Sequence, residues 1–533
     1  DALCAVFVSP DLLSVSAAQG EKRLTARFAS ADGIACLKGF FEDGDRLLAA
    51  HDVKRLLHLL APAGIRPEIG FDVMLAAYLL DSSDSGTDLS RLCSAHLGRV
   101  MPEGCEAETV LALAEKLSAR LESEGTASLY RETELPLAYV LFDMETAGFR
   151  VDVAGLKEYS EKLSALADEY EKNIFLMAGR TFNPNSPKQL GEVLFDEMKL
   201  PAPPGAKTKS GWSTSVDVLE KLADAHPIIE TIFDYRRVKK LISTYCEGLA
   251  AAADASGDVH TTFNQTVTAT GRLSSTEPNL QNIPIKTEQG RYLRRFFTAR
   301  DGDMVLVDSD YSQIELRLLA CIAGDGTMID AFRTGADIHA ITASQVFGVP
   351  LDMVTPELRK RAKAVNFGIV YGIGGHSLAD DIGVSTKEAS AYIKSYLAKY
   401  SGVDRYMKEI VQTAKDQGYV TTLAGRRRYI PELNSPKFPL RRFGERVAMN
   451  SPIQGTAADI IKKAMVMTDK ALKASGTGAR LILQIHDELI VECRESDAGK
   501  VAEILRSCME SAADLPVPLI VDTEIGHSWG EED

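Results

Sequence analysis

Residues 481–492, LILQIHDELIVE, read as two apolar strands, 481–485 and 488–493, joined by the dipeptide His486-Asp487. This is a hairpin with a carboxylate at its tip. A second stretch, MVLVDSDYS at 304–312, is an apolar strand that ends in acids. Setting the hairpin beside residues 304–309 brings Asp310 and Asp487 to adjacent strand ends. The long, mostly helical sequence between the two stretches then forms a lobe inserted into a sheet domain.

Two carboxylates crowded together are unfavourable unless cations lie between them. Two Asp with no added His or Cys shell suit Mg²⁺, which takes one or two carboxylates and completes its shell with water and substrate phosphates. Two such ions roughly 4 Å apart can activate a hydroxyl and stabilise a leaving oxygen in phosphoryl transfer. Spacing alone leaves open that each Asp merely caps a turn.

The sequence LRKRAKAVNFGIVYG bears on that choice. Arg359, Lys363, Phe367 and Tyr371 recur every four residues, which predicts a stripe along one helix face. Two cations precede two aromatics over roughly 18 Å of helix, enough to lie along an extended nucleoside triphosphate. The basic half can hold phosphates and the aromatic half can stack on a base. The alternative is that the aromatics are core and the cations solvent-facing. Gly368 and Gly372 cost helix stability, which points to close approach of another group there.

The rest of the chain sets bounds. Its 533 residues exceed any single small domain, and its 45% hydrophobic and 25% charged composition is that of globular proteins. No stretch has the length of apolar residues that a membrane span needs, and no signal-peptide layout opens the chain, which fits a soluble cytoplasmic protein. The chain begins with Asp1 rather than Met, read as the sign of an upstream segment. Eight cysteines lie scattered with no CxxC pair, and all eight are expected to be buried thiols. The formal net charge is −15, unfavourable for binding phosphate backbones. That charge is segregated: residues 1–140 hold 13 Lys+Arg against 21 Asp+Glu, a net of −8. Residues 424–446 carry seven Arg/Lys against two Glu, and Arg236, Arg237, Lys239 and Lys240 form a second basic cluster. These are either a basic groove for nucleic acid or solvated faces. Residues 71–80 predict a helix. Ser186 with Pro187 predicts a capped helix start, and Ser215 predicts another after the open loop 201–215.

Taken together, the motifs resemble those of the family A DNA polymerases, the bacterial large-fragment type in particular. DYSQIELR at 310–317 looks like motif A, RKRAKAVNFGIVYG at 359–372 like motif B, and QIHDEL at 484–489 like motif C. TATGRLSSTEPNLQNIP at 268–284 and ERVAMNSPIQGTAADIIKKA at 445–464 are similar to segments that grip primer and template. The likeness runs in the family's order from about residue 136 to the C-terminus. It implies an α/β multidomain fold, a right-hand polymerase with palm (254–322 and 434–533), fingers (323–433), and thumb with connecting helices (136–253).

The resemblance also implies roles. Asp310 and Asp487 match two metal-binding carboxylates, the Tyr311 carbonyl a further ligand, and Glu488 an accessory acid, around two Mg²⁺ ions for which Mn²⁺ can substitute. Arg359 and Lys363 match triphosphate contacts, Lys363 being the proton donor to pyrophosphate. Gln313, His339, Phe367 and Tyr371 match further residues around the incoming dNTP. Glu315 matches the steric gate against a ribose 2′-OH. Phe367 stands where some relatives have Tyr, which implies discrimination against dideoxy substrates. Arg272, Asn279, Gln281, Asn282, Arg446, Asn450, Gln454 and His486 match contacts to primer–template DNA, as does Lys286, where several relatives have Arg. The implied reaction is attack of a primer 3′-OH on the α-phosphate of a dNTP by a monomer of modest processivity. Rival readings are a single-subunit RNA polymerase, disfavoured by Glu315 and TGRLSS, a catalytically silent DNA-binding protein, and a nuclease.

Residues 1–135 resemble, through AAHDVKRLL at 49–57 and FDVMLAAYLL at 71–80, an RNase H-like 3′–5′ exonuclease domain. The acids that such a site uses are missing: LCAVFVSP holds none, Leu56 stands near the second motif's position, and residues 105–125 offer neither Tyr nor Asp. A vestigial domain without proofreading is expected. Regrouping of Asp11, Asp52 and Asp72 around metals is the alternative.

Overall fold

The three apolar stretches, at 3–9, 304–312 and 481–493, all form strands, and they seed two separate sheets. The computed structural model describes residues 3–84, 86–209, 211–284 and 287–530. The chain divides into two units. One comprises residues 1–147, 262–276 and 307–525, and the other comprises 148–261, 277–306 and 526–533.

In the first unit the N-terminal sheet consists of β1 (Cys4–Val8), β2 (Ser14–Gln19), β3 (Lys22–Arg27), β4 (Leu48–Ala50) and β5 (Ile69–Asp72), in the order β3-β2-β1-β4-β5. The first three strands are antiparallel neighbours, while β4 and β5 run parallel to β1. Its apolar face is covered by helix Glu106–Glu124, whose buried Ala107, Val110, Ala114, Leu117 and Leu121 recur at three- and four-residue steps. Gly125, at φ +75, ends that helix in the left-handed region. The stretch 71–80 is divided: Phe71 and Asp72 finish β5, and the helix runs over Val73–Leu80. The Asp72 side chain caps this helix, so the strand-to-helix switch falls on the capping residue.

The second sheet is formed by β6 (Met304–Tyr311), β7 (Arg480–Ile485), β8 (Glu488–Arg494) and β9 (Val521–Gly526), in the order β7-β8-β6-β9. Both arms of the hairpin were expected beside 304–309, but only β8 pairs with β6, and β7 takes the edge. Beneath it runs a 38-residue helix, Phe438–Ser475. Between β6 and this helix the lobe is helical apart from a small ladder of Tyr419–Thr421 with Arg427–Tyr429.

A buried set of charges ties this ladder to both the long helix and the N-terminal part of the unit. Glu134, Arg426, Asp459 and Lys462 are each at most 4% exposed. Lys462 Nζ lies 2.8 Å from Glu134 Oε1, Arg426 Nε donates to Asp459 Oδ1 at 2.8 Å, and Arg426 also pairs with Glu134. Gln265 Nε2 and Thr422 Oγ1 donate to the remaining acceptors on Glu134 and Asp459. The quartet is neutral. Burial opposes the Glu134 charge, but Lys462 and Arg426 more than offset it and hold its carboxyl down to about 2. At Lys462 burial prevails over the same attraction and pushes the ammonium below its usual range.

This corrects the reading of 424–446 as one basic surface. Arg426 is interior, Arg427 pairs with Glu124, and Arg442 pairs with Glu445. The cysteines also differ from expectation. Cys4, Cys93, Cys246 and Cys493 are buried thiols, Cys105, Cys321 and Cys508 are half-buried, and Cys36 is exposed.

The second unit is mainly helical. Helix Val153–Ala178 packs on helix Ile228–Lys240, and a two-stranded ladder joins Phe149–Arg150 to Asp258–Val259. Phe149, Phe297 and Trp529 cluster with ring centroids 5.1 to 6.4 Å apart. Ser186 caps helix Pro187–Gly191 as expected, accepting from Gln189 N–H. Ser215 occupies the cap position of Val216–Glu220, yet its side chain makes no bond to the helix; its hydroxyl accepts from Ser213 instead. Of the second basic cluster, Arg236 donates to Thr214 and Arg237 pairs with Asp234. Among the described residues, no helix is long and apolar enough to cross a membrane.

Removing one partner from a buried charge set leaves the others uncompensated, a loss of about 3–5 kcal/mol. Arg426→Met is expected to lower stability by that amount in urea denaturation at neutral pH. Because Glu134 is depressed in the fold, its contribution is intact above the ordinary carboxylate range. It fades as the pH falls toward about 2.

Candidate active site

Strand β6 and hairpin β7–β8 bring the two acids together through a backbone bond: Tyr311 N–H donates to the Asp487 carbonyl at 3.2 Å. The register Ile485↔Glu488 leaves His486 and Asp487 as the two turn residues. His486 sits at φ +51, an uncommon conformation for a residue with a side chain. Gln484 Nε2 steadies the turn by donating to the His486 carbonyl at 2.6 Å. On the β6 side, Gln313 takes φ +56 and starts helix Ile314–Ala323. Buried Arg317 secures that corner, donating to the Ser312 and Pro518 carbonyls. Asp487 thus directly follows a left-handed residue, and Asp310 lies three residues before one.

Asp310 opens to solvent at its strand end. Protein packed around the carboxyl still strips away part of its water, and Asp487, Glu488 and Asp522 add repulsion. Together they push it up to about 7. Burial pushes Asp487 up to about 6, with Arg272 opposing. Neither acid caps a helix, although the Asp310 carboxyl takes a backbone hydrogen bond from Tyr311. Asp522, on β9, was not anticipated: nothing in its sequence surroundings marks it, and only the pairing of β9 with β6 brings it near.

The expected stripe lies on helix Pro356–Val370, which Thr355 caps and Pro356 starts. Arg359 and Lys363 are exposed and Phe367 is half-buried. The helix ends one residue short of the expected stripe. Tyr371 follows its last turn, and Gly372, at φ +63, lets Ile373 N–H return to the Gly368 carbonyl. The close approach at the two glycines comes from the chain itself. A Cβ at Gly368 would meet Ile373 at 2.6 Å, and one at Gly372 would meet Met449 at 2.8 Å. A cleft of about 690 Å³ opens here, with Phe367, Gly368, Tyr371 and Arg446 in its lining.

Glu315 links the elements. It is 5% exposed, accepts from Arg272 Nη2 at 2.6 Å, and accepts from the Tyr371 hydroxyl at 3.0 Å. Burial, reinforced by Glu315, pushes the Tyr371 phenol up to about 12. Arg359 Nε donates to Asp337 Oδ2 at 2.6 Å. Burial works to raise the Asp337 carboxyl, but Arg359 and the His339 and Ala340 N–H groups hold it below its usual range. His339 is buried, its ring centroid 6.1 Å from that of Phe367.

Of the remaining expected residues, Arg446, Asn450 and Gln454 lie on the long helix Phe438–Ser475. Arg446 stacks its guanidinium near Phe443. The Gln313 Oε1 and Asn450 Oδ1 atoms are buried without a partner, which fits places for a polar ligand. Glu488 opens β8. Asn279, Gln281 and Asn282 belong to the second unit. There Asn279 Oδ1 accepts from Gln281 N–H, and the Asn282 carbonyl accepts from the Tyr245 hydroxyl. Lys286 lies outside the described residues.

The N-terminal sheet uses its acids structurally. Asp72 is buried and accepts from the Val53, Asp52, Met74 and Leu75 N–H groups. Asp52 caps helix Val53–Leu60, and Asp11 accepts from Ser9 and Leu13. Among the described residues no group of three or more His, Cys, Asp or Glu could hold a metal.

A family model described as DNA polymerase family A matches residues 153–531. The chain belongs to DNA polymerase family A. Similar curated proteins include DNA polymerase I of Bacillus subtilis, 46% identical over 92% of this chain and 58% of that protein. DNA polymerase I of Geobacillus stearothermophilus is 45% identical over 90% of the chain and 57% of its own length. The chain thus spans somewhat over half the length of these relatives. A solved structure described as the POL domain of Pol1 from M. smegmatis, in complex with DNA primer-template and dNTP, is 37% identical with a TM-score of 0.91. The match covers 99% of this chain and 95% of that one. The fold is that of a family A polymerase.

The crowding at Asp310 gives a test in metal-free protein. A carboxyl raised in the fold costs stability progressively as the pH rises from the ordinary carboxylate range, where the unfolded chain ionises, and the cost is complete above about 7. Asp310→Asn is expected to stabilise the protein at pH ~8 by about 1 kcal/mol, a value discounted for solvent screening. The gain should shrink as the pH falls and vanish below pH ~4, where the carboxyl is neutral in both the folded and the unfolded chain. Urea denaturation with chelator at both pH values checks this.

Proposed function

We propose that the chain is a template-directed DNA polymerase that adds dNTPs to a primer 3′-OH and releases pyrophosphate, in replication and repair gap filling. The observation that carries the reading is the pair Asp310 and Asp487, joined through Tyr311 N–H, each with its carboxyl pushed above its usual range. Family membership and the cationic helix beside the cleft support it. The palm is assigned to 254–322 and 434–533, the fingers to 323–433, and the thumb with its connecting helices to 136–253.

The donor set is all oxygen, and its carboxyls carry repulsion that a divalent cation would relieve, so the residues fit Mg²⁺. Asp310, the Tyr311 carbonyl and Asp487 would hold it, with Glu488 as accessory acid. Two such ions, with Mn²⁺ able to substitute, supply Lewis-acid activation of the 3′-OH and charge neutralisation at the leaving oxygen.

The chain's own residues do the rest. Arg359 leaves Asp337 to grip triphosphate oxygens, and Lys363 gives a proton to the departing pyrophosphate, where its charge counts most in the transition state. Phe367 and Tyr371 flank the sugar and base, while Gln313 and His339 add polar contacts. Glu315, fixed by Arg272 and Tyr371, fills the space a 2′-OH would need. Arg272, Asn279, Gln281, Asn282, Lys286, Arg446, Asn450, Gln454 and His486 hold primer and template. Minor-groove acceptors present on every base pair let Arg and Gln sense pair geometry without reading sequence. The N-terminal domain is assigned as a vestigial exonuclease without proofreading, and the enzyme as a cytoplasmic monomer.

One gel tests this: an end-labelled primer on a longer template with Mg²⁺, with and without dNTPs, beside Asp487→Ala. Templated lengthening that vanishes in the variant, with no shortening when dNTPs are withheld, is expected. No lengthening by the parent protein would overturn the polymerase reading, and shortening that persists in the variant would overturn the loss of exonuclease. In the same assay, Glu315→Ala is expected to admit ribonucleotides at least tenfold more readily, about the 1–3 kcal/mol that a steric pocket contributes.

A further inference from the structure

Behind the cationic stripe runs a line of buried polar groups with no role in the assignments above. Asn366, Thr342 and Tyr400 are fully buried. Thr342 Oγ1 donates to Asn366 Oδ1 at 3.1 Å and lies 3.2 Å from the Tyr400 hydroxyl. Asn366 Nδ2 lies 2.8 Å from His339 Nδ1. With the Asn366 oxygen placed toward Thr342, the proton count sets the direction of the other bonds. A hydroxyl has one proton, so Thr342, which gives its proton to Asn366, must accept from Tyr400. With its oxygen turned to Thr342, Asn366 presents its NH₂ to the imidazole, and Nδ1 must be a bare acceptor. A neutral imidazole then carries its proton on Nε2.

We propose that Asn366 is a positioning residue: through the Tyr400–Thr342–Asn366 line it locks His339 as the Nε2–H tautomer, a constant donor to a triphosphate oxygen. This rests on the polymerase reading, which puts the triphosphate along Arg359 and Lys363. Those two cations face the imidazole from helix Pro356–Val370, and Asp337 faces it from its own helix. Burial, reinforced by Arg359 and Lys363, pushes the imidazole down to about 4, so its charge state is constant over the working range. A donor that did not depend on this lock would be free to turn a lone pair toward the phosphates.

The first test needs no variant of Asn366. In ¹⁵N-histidine-labelled protein, the His339 signal, assigned by its loss in His339→Gln, is expected to be that of a neutral Nε2–H ring from about pH 6 to about pH 8. An Nδ1–H ring, or a titration in that window, overturns the proposal. The second test measures KM for dNTP and kcat, each as a ratio to the parent enzyme at every pH. Asn366→Leu is expected to raise KM roughly tenfold with kcat little changed, the loss of one hydrogen bond to a charged group. Asn366→Asp attracts a proton to Nδ1. Its KM should match the parent at acid pH, where both ring nitrogens are protonated, and rise as the pH increases and Nε2 loses its proton. A flat ratio for Asn366→Asp would overturn the proposal while leaving the polymerase reading intact. A parent enzyme that extends no primer would instead overturn the polymerase reading, and the NMR result would still decide the tautomer.

Discussion

The site depends on one backbone hydrogen bond between strands distant in sequence. Tyr311 N–H to the Asp487 carbonyl holds the end of β6 against the tip of the β7–β8 hairpin, and everything acidic in the centre follows from that contact. Arg272 only partly offsets the burial of Asp487, and Asp522 on the neighbouring strand adds to the repulsion felt by Asp310. A sheet that gathers like charges at one end is under electrostatic strain, which the fold must offset elsewhere and which a bound cation relieves. Stability and function therefore pull in opposite directions at this place.

The offsetting order is visible in the buried quartet Glu134, Arg426, Asp459 and Lys462. Its four charges sum to zero, and Gln265 and Thr422 take up the remaining acceptors. It draws on three separate stretches of the chain, at Glu134, at Arg426 and on the helix that carries Asp459 and Lys462, and acids elsewhere in the N-terminal part cap helices and turns. Asp72, with four backbone donors, is the clearest case. The contact of Glu134 with Arg426 and Lys462 gives this part of the chain a structural use.

Much of the sheet was legible because its strands are apolar runs that stop at acids, and the hairpin because a two-residue turn allows only one register. Helix Pro356–Val370 was legible from its four-residue period, although the period overran by one: Tyr371 keeps the spacing, but Gly372 ends the helix geometry. The other failures share a cause. Arg426 looked like surface because local composition cannot reveal that Glu134 and Asp459 enclose it. Asp522 and Asp337 went unnoticed because their importance comes from neighbours in space. Ser215 had the sequence of a cap, but Ser213 engages its hydroxyl instead. Local propensity marks where an element begins and ends, whereas the partner of a polar group is decided by tertiary packing.

The same distinction bears on the two faces of helix Pro356–Val370. Its outer face presents Arg359 and Lys363, mobile charges whose partner can change; Arg359 is held by Asp337 through a single contact that a phosphate can replace. Its inner face presents Asn366, enclosed and bonded to Thr342 and His339. Exposed charges adapt to a ligand at little cost because water compensates each broken pair. A buried amide has no such freedom, since reversing it would leave two donors or two acceptors face to face without water. Adaptability on one side and a fixed hydrogen-bond direction on the other let a single helix both capture a substrate and keep a defined geometry around it.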